Sequence, residues 1–361
     1  MECIKQPLTV YEKQLTKACQ TLFIPLDEVC FFDIETTGLS PNVSSLYLIG
    51  IIFHEDGHWQ LLQWFADDYV SEADLLRSFA DYTAHFTTYI NYNGSSFDIS
   101  YLEKKYAAHQ IPSPFATHKN LDIYRQIRHK KKYFPVPNMK LTTMEQLLHF
   151  RRHDNYSGKD CIRLYTDFMQ RKYARDCSMM ITLKEKILLH NKEDLIGTAL
   201  CSQLLAYDYY KPHNPTWKIE GETLFLTDSL PFFVPLPLSC EKDIFSLDYN
   251  DNILTVSVPL WRGTLYHYFT DYKNYYYLPS EDMAVHKSVG IYVDSAHRRK
   301  ATATNCYIKK EGLFLPLPIG FTIEHIPFFQ ETKKQKRHYI VCDDTIDTIC
   351  DDYLCYIITN T

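Results

Sequence analysis

The first half of the chain carries three β-favouring apolar runs in close succession. They lie at Cys30 to Ile34, Leu46 to Phe53 and His58 to Phe65. Asp56-Gly57, between the last two runs, is a hairpin-turn signal. The stretch before them, residues 8–22, mixes polar and apolar positions and predicts a leading helix. The pattern therefore predicts an antiparallel meander behind a helical lead.

Helix and strand patterns continue beyond the meander. Ser71-Glu72-Ala73-Asp74 precedes apolar positions at helical spacing, which predicts a capped amphipathic helix. Thr87 to Tyr92 predicts a strand, and the Asn93-Gly94 turn after it places Asp98 in the first turn of the next helix. Leu183 to Leu205 predicts a long helix. Several acidic residues therefore fall at the ends of predicted elements.

The pattern changes after residue 210. Short alternating runs separated by Pro, Gly, Asn and Asp predict a β-rich region, and they comprise Thr223 to Leu226, Ile253 to Val258, Gly290 to Val293 and Tyr339 to Cys342. A length of 361 residues also favours two domains. The predicted divisions are a helical lead over 1–24, an α/β domain over 25–210 and a β-rich, tyrosine-rich accessory domain over 211–361.

Composition narrows the class of protein. The hydrophobic fraction of 45% and charged fraction of 23% are those of a soluble globular protein, and no apolar run reaches the length of a membrane span. A net charge of −6 argues against coating nucleic acid through global charge but allows local basic clefts. Eleven cysteines without zinc-ligand spacing, behind an N-terminus without a secretory signal, predict reduced thiols and a cytoplasmic location.

Acidic residues supply the candidate chemistry. Asp33 and Glu35 are two residues apart in a predicted strand, so their side chains point to the same face. Such a pair is costly to bury unless a cation neutralises it, and hard oxygen ligands suit Mg²⁺ or Mn²⁺. A solvent-facing edge strand would explain the same pair, and helix capping alone would explain Asp98. His190 and Asp194 are four residues apart and share a helix face, from which Glu193 points away.

These motifs together resemble a known superfamily. With Asp33 and Glu35 in D-I-E-T-T-G-L, Asp98 in N-G-S-S-F-D, and Asp194 preceded by His190, residues 25–207 resemble the DEDD superfamily of metal-dependent 3′–5′ exonucleases. A narrower resemblance, to the YprB-like branch of ribonuclease-H-like nucleases, uses Leu121-Asp122-Ile123-Tyr124, Leu141-Thr142-Thr143-Met144-Glu145, Arg151-Arg152-His153-Asp154, Gly158 and Tyr165. The resemblance implies an α/β ribonuclease-H-like N-terminal domain, followed here by the β-rich domain.

The resemblance also implies a mechanism, hydrolysis of phosphodiester bonds with two Mg²⁺ or Mn²⁺ ions. Asp33, Glu35 and Asp194 would hold one ion, Asp33 would bridge to the second, and Asp98 would orient the water shell of that second ion. His190 would take the proton from the attacking water. His190 precedes Asp194 by four residues, as a Tyr does in one branch of the superfamily, whereas the His of the other branch precedes it by five. A histidine without a chemical role is the alternative.

Substrate contacts are predicted around the same motifs. Thr36, Tyr92 and Asn93 are candidates for binding the terminal nucleotide, although a turn alone would explain Asn93. Arg128, Lys130, Lys131 and Lys132 form a basic run, and Arg151, Arg152 and His153 form a second group. Both groups fit either a phosphate track or solvated surface charge. The tyrosine-rich stretch 266–279 fits a β-core better than a base-stacking platform, because strands favour aromatic residues.

The leading hypothesis is a 3′–5′ exonuclease that acts on single-stranded DNA or RNA. The alternative is a catalytically weak or inactive nucleic-acid-binding module, or an accessory subunit, on the same fold. The presence of Asp33, Glu35, Asp98 and Asp194 together favours the enzyme. A protein partner for the C-terminal domain stays open, and neither the preferred sugar nor the oligomeric state follows from the sequence.

Overall fold

The computed structural model describes residues 1–209 and 211–360. Within them the chain separates into two compact units. The first unit is Met1–Tyr209 together with Val234–Leu236, and the second contains the other described residues. In this described part of the chain, every helix is too short or too polar to cross a membrane.

The first unit is a mixed sheet covered by helices. Its strands are β1 (Glu2–Pro7), β2 (Val29–Thr36), β3 (Leu46–Glu55), β4 (His58–Phe65), β5 (Thr88–Asn91) and β6 (Lys119–Asp122). Its helices are α1 (Glu12–Cys19), α2 (Glu72–Thr83), α3 (Asp98–His109), α4 (Ile123–Ile127), α5 (Leu141–Leu147), α6 (Gly158–Tyr173) and α7 (Cys177–Cys201). Short 3-10 helices lie at Gln20–Leu22, Leu26–Glu28, Pro114–Ala116, Arg128–Tyr133 and Ser202–Tyr207.

The strand order is β1-β4-β3-β2-β5-β6. Strands β2, β3 and β4 pair antiparallel in sequence order, which confirms the predicted meander. Asp56 and Gly57, with φ of 51° and 83°, turn the chain between β3 and β4, since a two-residue hairpin loop of this kind needs positive φ at both positions. Strand β5 then lies parallel to β2, with α2 in the crossover between β4 and β5. This arrangement brings the ends of β2 and β5 to the same edge.

The N-terminal segment differs from its prediction as a helical lead over 1–24. Helix α1 lies within it, but Glu2–Pro7 forms the edge strand β1 and pairs antiparallel with β4. Alternate residues of β1 are exposed, as expected of an edge strand. Six residues with two charges carry too weak a pattern to predict a strand, and the neighbouring β4 decides their conformation by offering a free edge.

The core of the first unit surrounds β2 and β3. Every residue of β2 is buried except Asp33, which is half-buried, and the first eight residues of β3 are buried. Helices α2, α3, α6 and α7 contribute apolar side chains to the same core, with Phe79, Leu102, Tyr165 and Ile187 among them. A carboxylate on β2 therefore stands in a largely apolar setting.

The second unit is β-rich, as predicted. Its strands are β7 (Thr216–Glu220), β8 (Thr223–Ser229), β9 (Leu238–Glu241), β10 (Ser246–Asn250), β11 (Ile253–Pro259), β12 (Trp261–Tyr268), β13 (Tyr275–Leu278), β14 (Met283–His286), β15 (Arg299–Lys300), β16 (Tyr307–Pro316) and β17 (Tyr339–Val341). Its helices are α8 (Lys287–Gly290) and α9 (Thr345–Thr359). The strands form antiparallel sheets in the orders β7-β8-β11-β10-β9, β12-β16-β17 and β14-β13-β15.

Two predictions for this unit have different outcomes. The predicted strand over Gly290 to Val293 is wrong. Gly290 is the last residue of α8, and residues 291–293 continue from it as turns whose backbone N–H groups bond to carbonyls of α8. The tyrosines of the stretch 266–279 are half-buried and several pack on one another, so the preference for a core over a base-stacking platform stays a prediction. Tyr275 and Tyr277 lie against a small buried cluster, and the Tyr277 hydroxyl donates to Asp282.

Candidate active site

Three carboxylates meet where β2 ends. Asp33 and Glu35 point to the same side of β2, and Asp194 comes from α7. One carboxylate oxygen from each of the three lies within 4.8 Å of the other two. Helix α7 packs against β2 and β3, which brings a residue 159 positions beyond Glu35 to this group. The predicted meeting of these residues is therefore present in the structure.

Asp98 lies beside this group and outside it. It is the first residue of α3, as the sequence predicted. The parallel pairing of β2 with β5 ends at Phe31, and the backbone N–H of Ile34, three residues further along β2, is close enough to the Asp98 carboxylate to lower its pKa. Burial raises the pKa of Asp98 to about 6, although its own N–H and that of Ile34 lower it. Asp98 is also close enough to raise the pKa of Asp33.

Asp33 and Glu35 bind protons more tightly than ordinary carboxylates do. Burial, with the nearby charges of Asp194, Asp98 and Glu35, raises the pKa of Asp33 well above its ordinary value. Burial likewise raises the pKa of Glu35 to about 7. A nearby cation favours the ionised form of such a group. A set of converging carboxylate oxygens is also the donor set that hard divalent cations prefer, so these residues fit the ions that the sequence predicted.

His190 faces two of these carboxylates. Its Nε2 lies 3.7 Å from Oε1 of Glu35 and 3.6 Å from Oδ2 of Asp194. Its Nδ1 lies 3.1 Å from Oδ2 of Asp154. Because a carboxylate only accepts, the proton of the neutral ring belongs on Nδ1, and Nε2 is left toward the carboxylate group.

The protonation of His190 reflects its surroundings. Burial lowers its pKa, but hydrogen bonds with Asp154 and Cys161 and the charges of Asp194 and Glu35 outweigh burial and raise the pKa to about 12. The Cys161 thiol belongs to a second, overlapping group of potential ligands with Glu35 and His190. Burial raises the pKa of Cys161, so that thiol is neutral near pH 7.

Three residues at matching positions on neighbouring strands, together with Asn191 of α7, hold the Asp33 side chain in place. Asp33 on β2 lies opposite Gly50 on β3, which lies opposite Gln63 on β4. The amide of Asn191 lies over Gly50, donates to Oδ2 of Asp33 at 2.8 Å and accepts from Gln63 at 2.8 Å. A Cβ on Gly50 would stand 2.0 Å from the Asn191 oxygen, so only glycine leaves room for this amide. Tyr47 of β3 similarly directs its hydroxyl at Glu35, at 3.4 Å.

The group Arg151, Arg152 and His153 was predicted as a phosphate track or a solvated surface, and Arg152 is neither. Its guanidinium is largely buried and bonds to Asp194, while Asp154 lies 3.2 Å away. Glu193, expected to point away from the site, is buried and accepts from the backbone N–H groups of His153 and Asp154. These bonds fasten the loop between α5 and α6 to α7.

A cleft of about 600 Å³ opens beside Asp33 and Asp194. Its other lining residues include five of polar or basic character, namely Asn93, Arg128, Lys131, Asn138 and Lys140, and two half-buried aromatic ones, Tyr92 and Tyr124. Four of the predicted substrate contacts, Tyr92, Asn93, Arg128 and Lys131, thus lie in one cleft with two of the carboxylates. The Tyr92 hydroxyl donates to the Met139 carbonyl at 2.8 Å, which fixes its ring at the wall.

Three other predicted substrate residues lie elsewhere. Lys130 is buried, with its ammonium 3.7 Å from Asp208. Thr36 is buried, and its hydroxyl donates to the Gly38 carbonyl. Lys132 is exposed over the Tyr133 ring and does not line the cleft. Their geometry does not support contact with a substrate in this cleft.

Several residues that shape the site were missed in the sequence, and two left a signal. Asn191 and Gly197 are unusual in a buried helix segment. Asn191 donates to Asp33, and Gly197 leaves space for the carboxylate of Glu145, which a Cβ would meet at 1.8 Å. Gln63 carried no such signal, because its partner lies far away in the sequence. Asp154 belonged to the motif Arg151-Arg152-His153-Asp154, but the sequence assigned it no role at His190.

Residues 30–206 match the family model of the RNase H superfamily. The matched segment contains the mixed sheet except its edge strand β1 and the first residue of β2, and it contains each of the four predicted carboxylates. This segment has a ribonuclease-H-like fold. The match ends just before the second unit begins, so the β-rich region lies outside the ribonuclease-H-like segment.

Comparison with solved structures gave loose likenesses. A family B DNA polymerase from the archaeon Pyrobaculum calidifontis shares 19% identity over 52% of this chain and 25% of its own, with a TM-score of 0.40. Escherichia coli exonuclease I in complex with a dA16 oligonucleotide shares 16% over 55% of this chain and 54% of its own, with a TM-score of 0.27. The chain thus spans about a quarter of the polymerase and half of the exonuclease. A search of curated proteins found no match.

Proposed function

We propose that the ribonuclease-H-like segment is a divalent-metal-dependent nuclease that removes nucleotides from the 3′ end of single-stranded DNA or RNA. The observation that carries the proposal is the meeting of Asp33, Glu35 and Asp194 beside a cleft lined with Arg128 and Lys131. Acidic residues suit the cations, and basic residues suit the phosphates of a nucleic acid. The direction of digestion and the YprB-like branch are inferred from the sequence resemblance.

The chain's own residues have distinct roles in this proposal. Asp33, Glu35 and Asp194 would hold Mg²⁺ or Mn²⁺, and Asp98 would orient water at a second ion. When bound, such ions activate water and stabilise the leaving oxygen of a phosphodiester. Asn191 and Tyr47 hold two of the carboxylates in place. Bound cations would offset the charges of Asp194 and Glu35 that raise the pKa of His190. Nε2 of the neutral ring would then accept the proton of the attacking water, while Asp154 fixes the ring from the other side.

The cleft provides the substrate contacts of the proposal. Arg128 and Lys131 would neutralise phosphates, and the rings of Tyr92 and Tyr124 would contact the terminal base. A role for the second unit in binding nucleic acid or a protein partner, and a cytoplasmic location, stay predictions from the sequence.

The test is digestion of single-stranded DNA and RNA, labelled at either end, with Mg²⁺ or Mn²⁺. We expect a ladder that shortens from the 3′ end. Asp33→Asn should lower the rate by more than about 100-fold, since loss even of a residue that only supports a metal ligand costs roughly 10-fold to 100-fold. Asp27→Asn, which changes an exposed carboxylate outside the site, is the matched control. Binding without cleavage in the wild type would support the binding module instead.

A further inference from the structure

Arg152 is enclosed by four carboxylates. One terminal nitrogen bonds to Oδ1 of Asp194 and lies 3.2 Å from Asp154, the other lies 3.5 Å from Glu145, and Nε lies 3.8 Å from Glu193. Its side chain is only 12% exposed. The neighbouring Arg151 is exposed instead. Arg152 is thus the counter-ion of this acidic cluster and is not positioned as a surface contact for phosphate.

The cluster needs this guanidinium. The Glu145 side chain is 1% exposed, and neither of its oxygens accepts a hydrogen bond within the described protein. Burial raises the pKa of Glu145 to about 8, while Arg152 lowers it. An arginine stays protonated under all ordinary conditions, so its charge is a fixed part of the site.

We propose that Arg152 is a positioning residue that holds Oδ1 of Asp194 and lowers the affinity of the site for divalent cations. The inference rests on the proposed function, because it takes Asp194 as a metal ligand. With Oδ1 held by Arg152, Asp194 presents Oδ2, the oxygen near Nε2 of His190. A fixed positive charge in contact with a ligand carboxylate also repels a second cation. Arg152 therefore lowers the affinity for divalent cations and, at the same time, fixes the orientation of the Asp194 side chain.

The expected change in cation affinity follows from the effect that a neighbouring positive charge has on proton binding by a carboxylate. An adjacent arginine weakens proton binding by a carboxylate by roughly 10-fold to 1,000-fold. A divalent ion shared among three carboxylates depends less on any one of them, so the low end of that range applies. Removal of the guanidinium should then tighten cation binding by about tenfold.

The experiment measures Mn²⁺ binding directly, by calorimetry and by the electron paramagnetic resonance signal of free Mn²⁺, on the full chain without nucleic acid. Arg152→Gln should bind Mn²⁺ about tenfold more tightly than the wild type. Arg152→Lys, which keeps the charge, should return the affinity toward the wild-type value. Arg151→Gln removes the same charge from an exposed neighbour and should change little. In the Asp194→Asn background, Arg152→Gln should tighten binding less than it does in the wild type, because Arg152 then holds no ligand carboxylate and only its repulsion of the cations is removed.

Unchanged or weaker Mn²⁺ binding by folded Arg152→Gln would overturn the inference, because a purely structural role predicts loss of affinity. Circular dichroism establishes folding. If the single variant does not fold, Glu145→Gln combined with Arg152→Gln removes a buried carboxylate along with its partner and carries the same prediction. If the wild type itself binds no Mn²⁺, the proposed function fails together with the inference. If the wild type binds and the variants do not tighten, only the inference fails.

Discussion

The cluster of Asp33, Glu35 and Asp194 faces the cleft on one side and packed protein on the other. Basic residues lie on both sides, but in opposite surroundings. In the cleft, Arg128 and Lys131 are exposed. On the packed side, Arg152 lies among buried acids. Both clusters appear in the sequence as short basic runs. The difference shows that the surroundings of a basic run decide its role: solvent leaves a charge free for phosphate, whereas buried carboxylates bind it permanently.

Arg152→Met should have the largest effect on stability. It leaves the buried acids Glu145 and Glu193 without their counter-ion, and breaking a buried ion pair in this way costs about 3–5 kcal/mol. Urea denaturation measures the decrease in the free energy of unfolding. Arg128→Met, on the open side, should stay within roughly 0.5 kcal/mol of the wild type. Equal decreases in the free energy of unfolding of Arg152→Met and Arg128→Met would show that the packed side and the cleft do not differ in this way.

Gly50→Ala should have a smaller effect that appears mainly in activity. The new Cβ would displace the Asn191 amide from Asp33, and loss of a group that orients a metal ligand costs roughly 10-fold to 100-fold. Gly312→Ala is the matched control, because it also lies in a strand and its Cβ would meet no atom within 4 Å. Nuclease rates and thermal melting together separate a misoriented ligand from a misfolded chain. A fully active Gly50→Ala would show that the amide is dispensable.

The smallest effect is expected on the open side. Replacing Arg128 and Lys131 by Ala should leave the thermal midpoint unchanged and weaken binding to all single-stranded sequences alike. Removal of each charge that neutralises a phosphate should reduce the slope of log affinity against log salt by about 0.7. Anisotropy titrations of a labelled oligonucleotide at several salt concentrations, in the Asp33→Asn background, measure the slope. Lys132→Ala, outside the cleft, should leave this slope unchanged. Equal slopes for Lys132→Ala and for the variant without Arg128 and Lys131 would exclude a phosphate-binding role for the cleft.

The sequence predicted the framework of the site well, because that framework depends on local patterns. Alternation along a strand placed Asp33 and Glu35 on one face, and the Asn93-Gly94 turn placed Asp98 at a helix start. The spacing of His190 and Asp194 placed them on one face of α7, and their side chains do approach each other.

The supporting contacts could not be predicted in the same way. Glu193 was expected to point away from the site, and it does leave the face of Asp194, but the loop after α5 folds over it and uses its carboxylate. In the sequence, Arg152 is indistinguishable from the other residues of a basic surface run, because its partners Glu145 and Asp194 lie on separate helices. Interactions of this kind depend on packing between distant segments, which hydrophobic periodicity does not encode.

Helix α7 carries four consecutive or near-consecutive polar residues with separate partners: His190 with Asp154, Asn191 with Asp33, Glu193 with the loop, and Asp194 with Arg152. Each added or deleted residue rotates the rest of a helix by about 100°. A single insertion between His190 and Asp194 would therefore separate all the preceding contacts from all the following ones at once. Related chains can vary freely in loop length elsewhere, but this stretch should keep a constant length even where its residues differ.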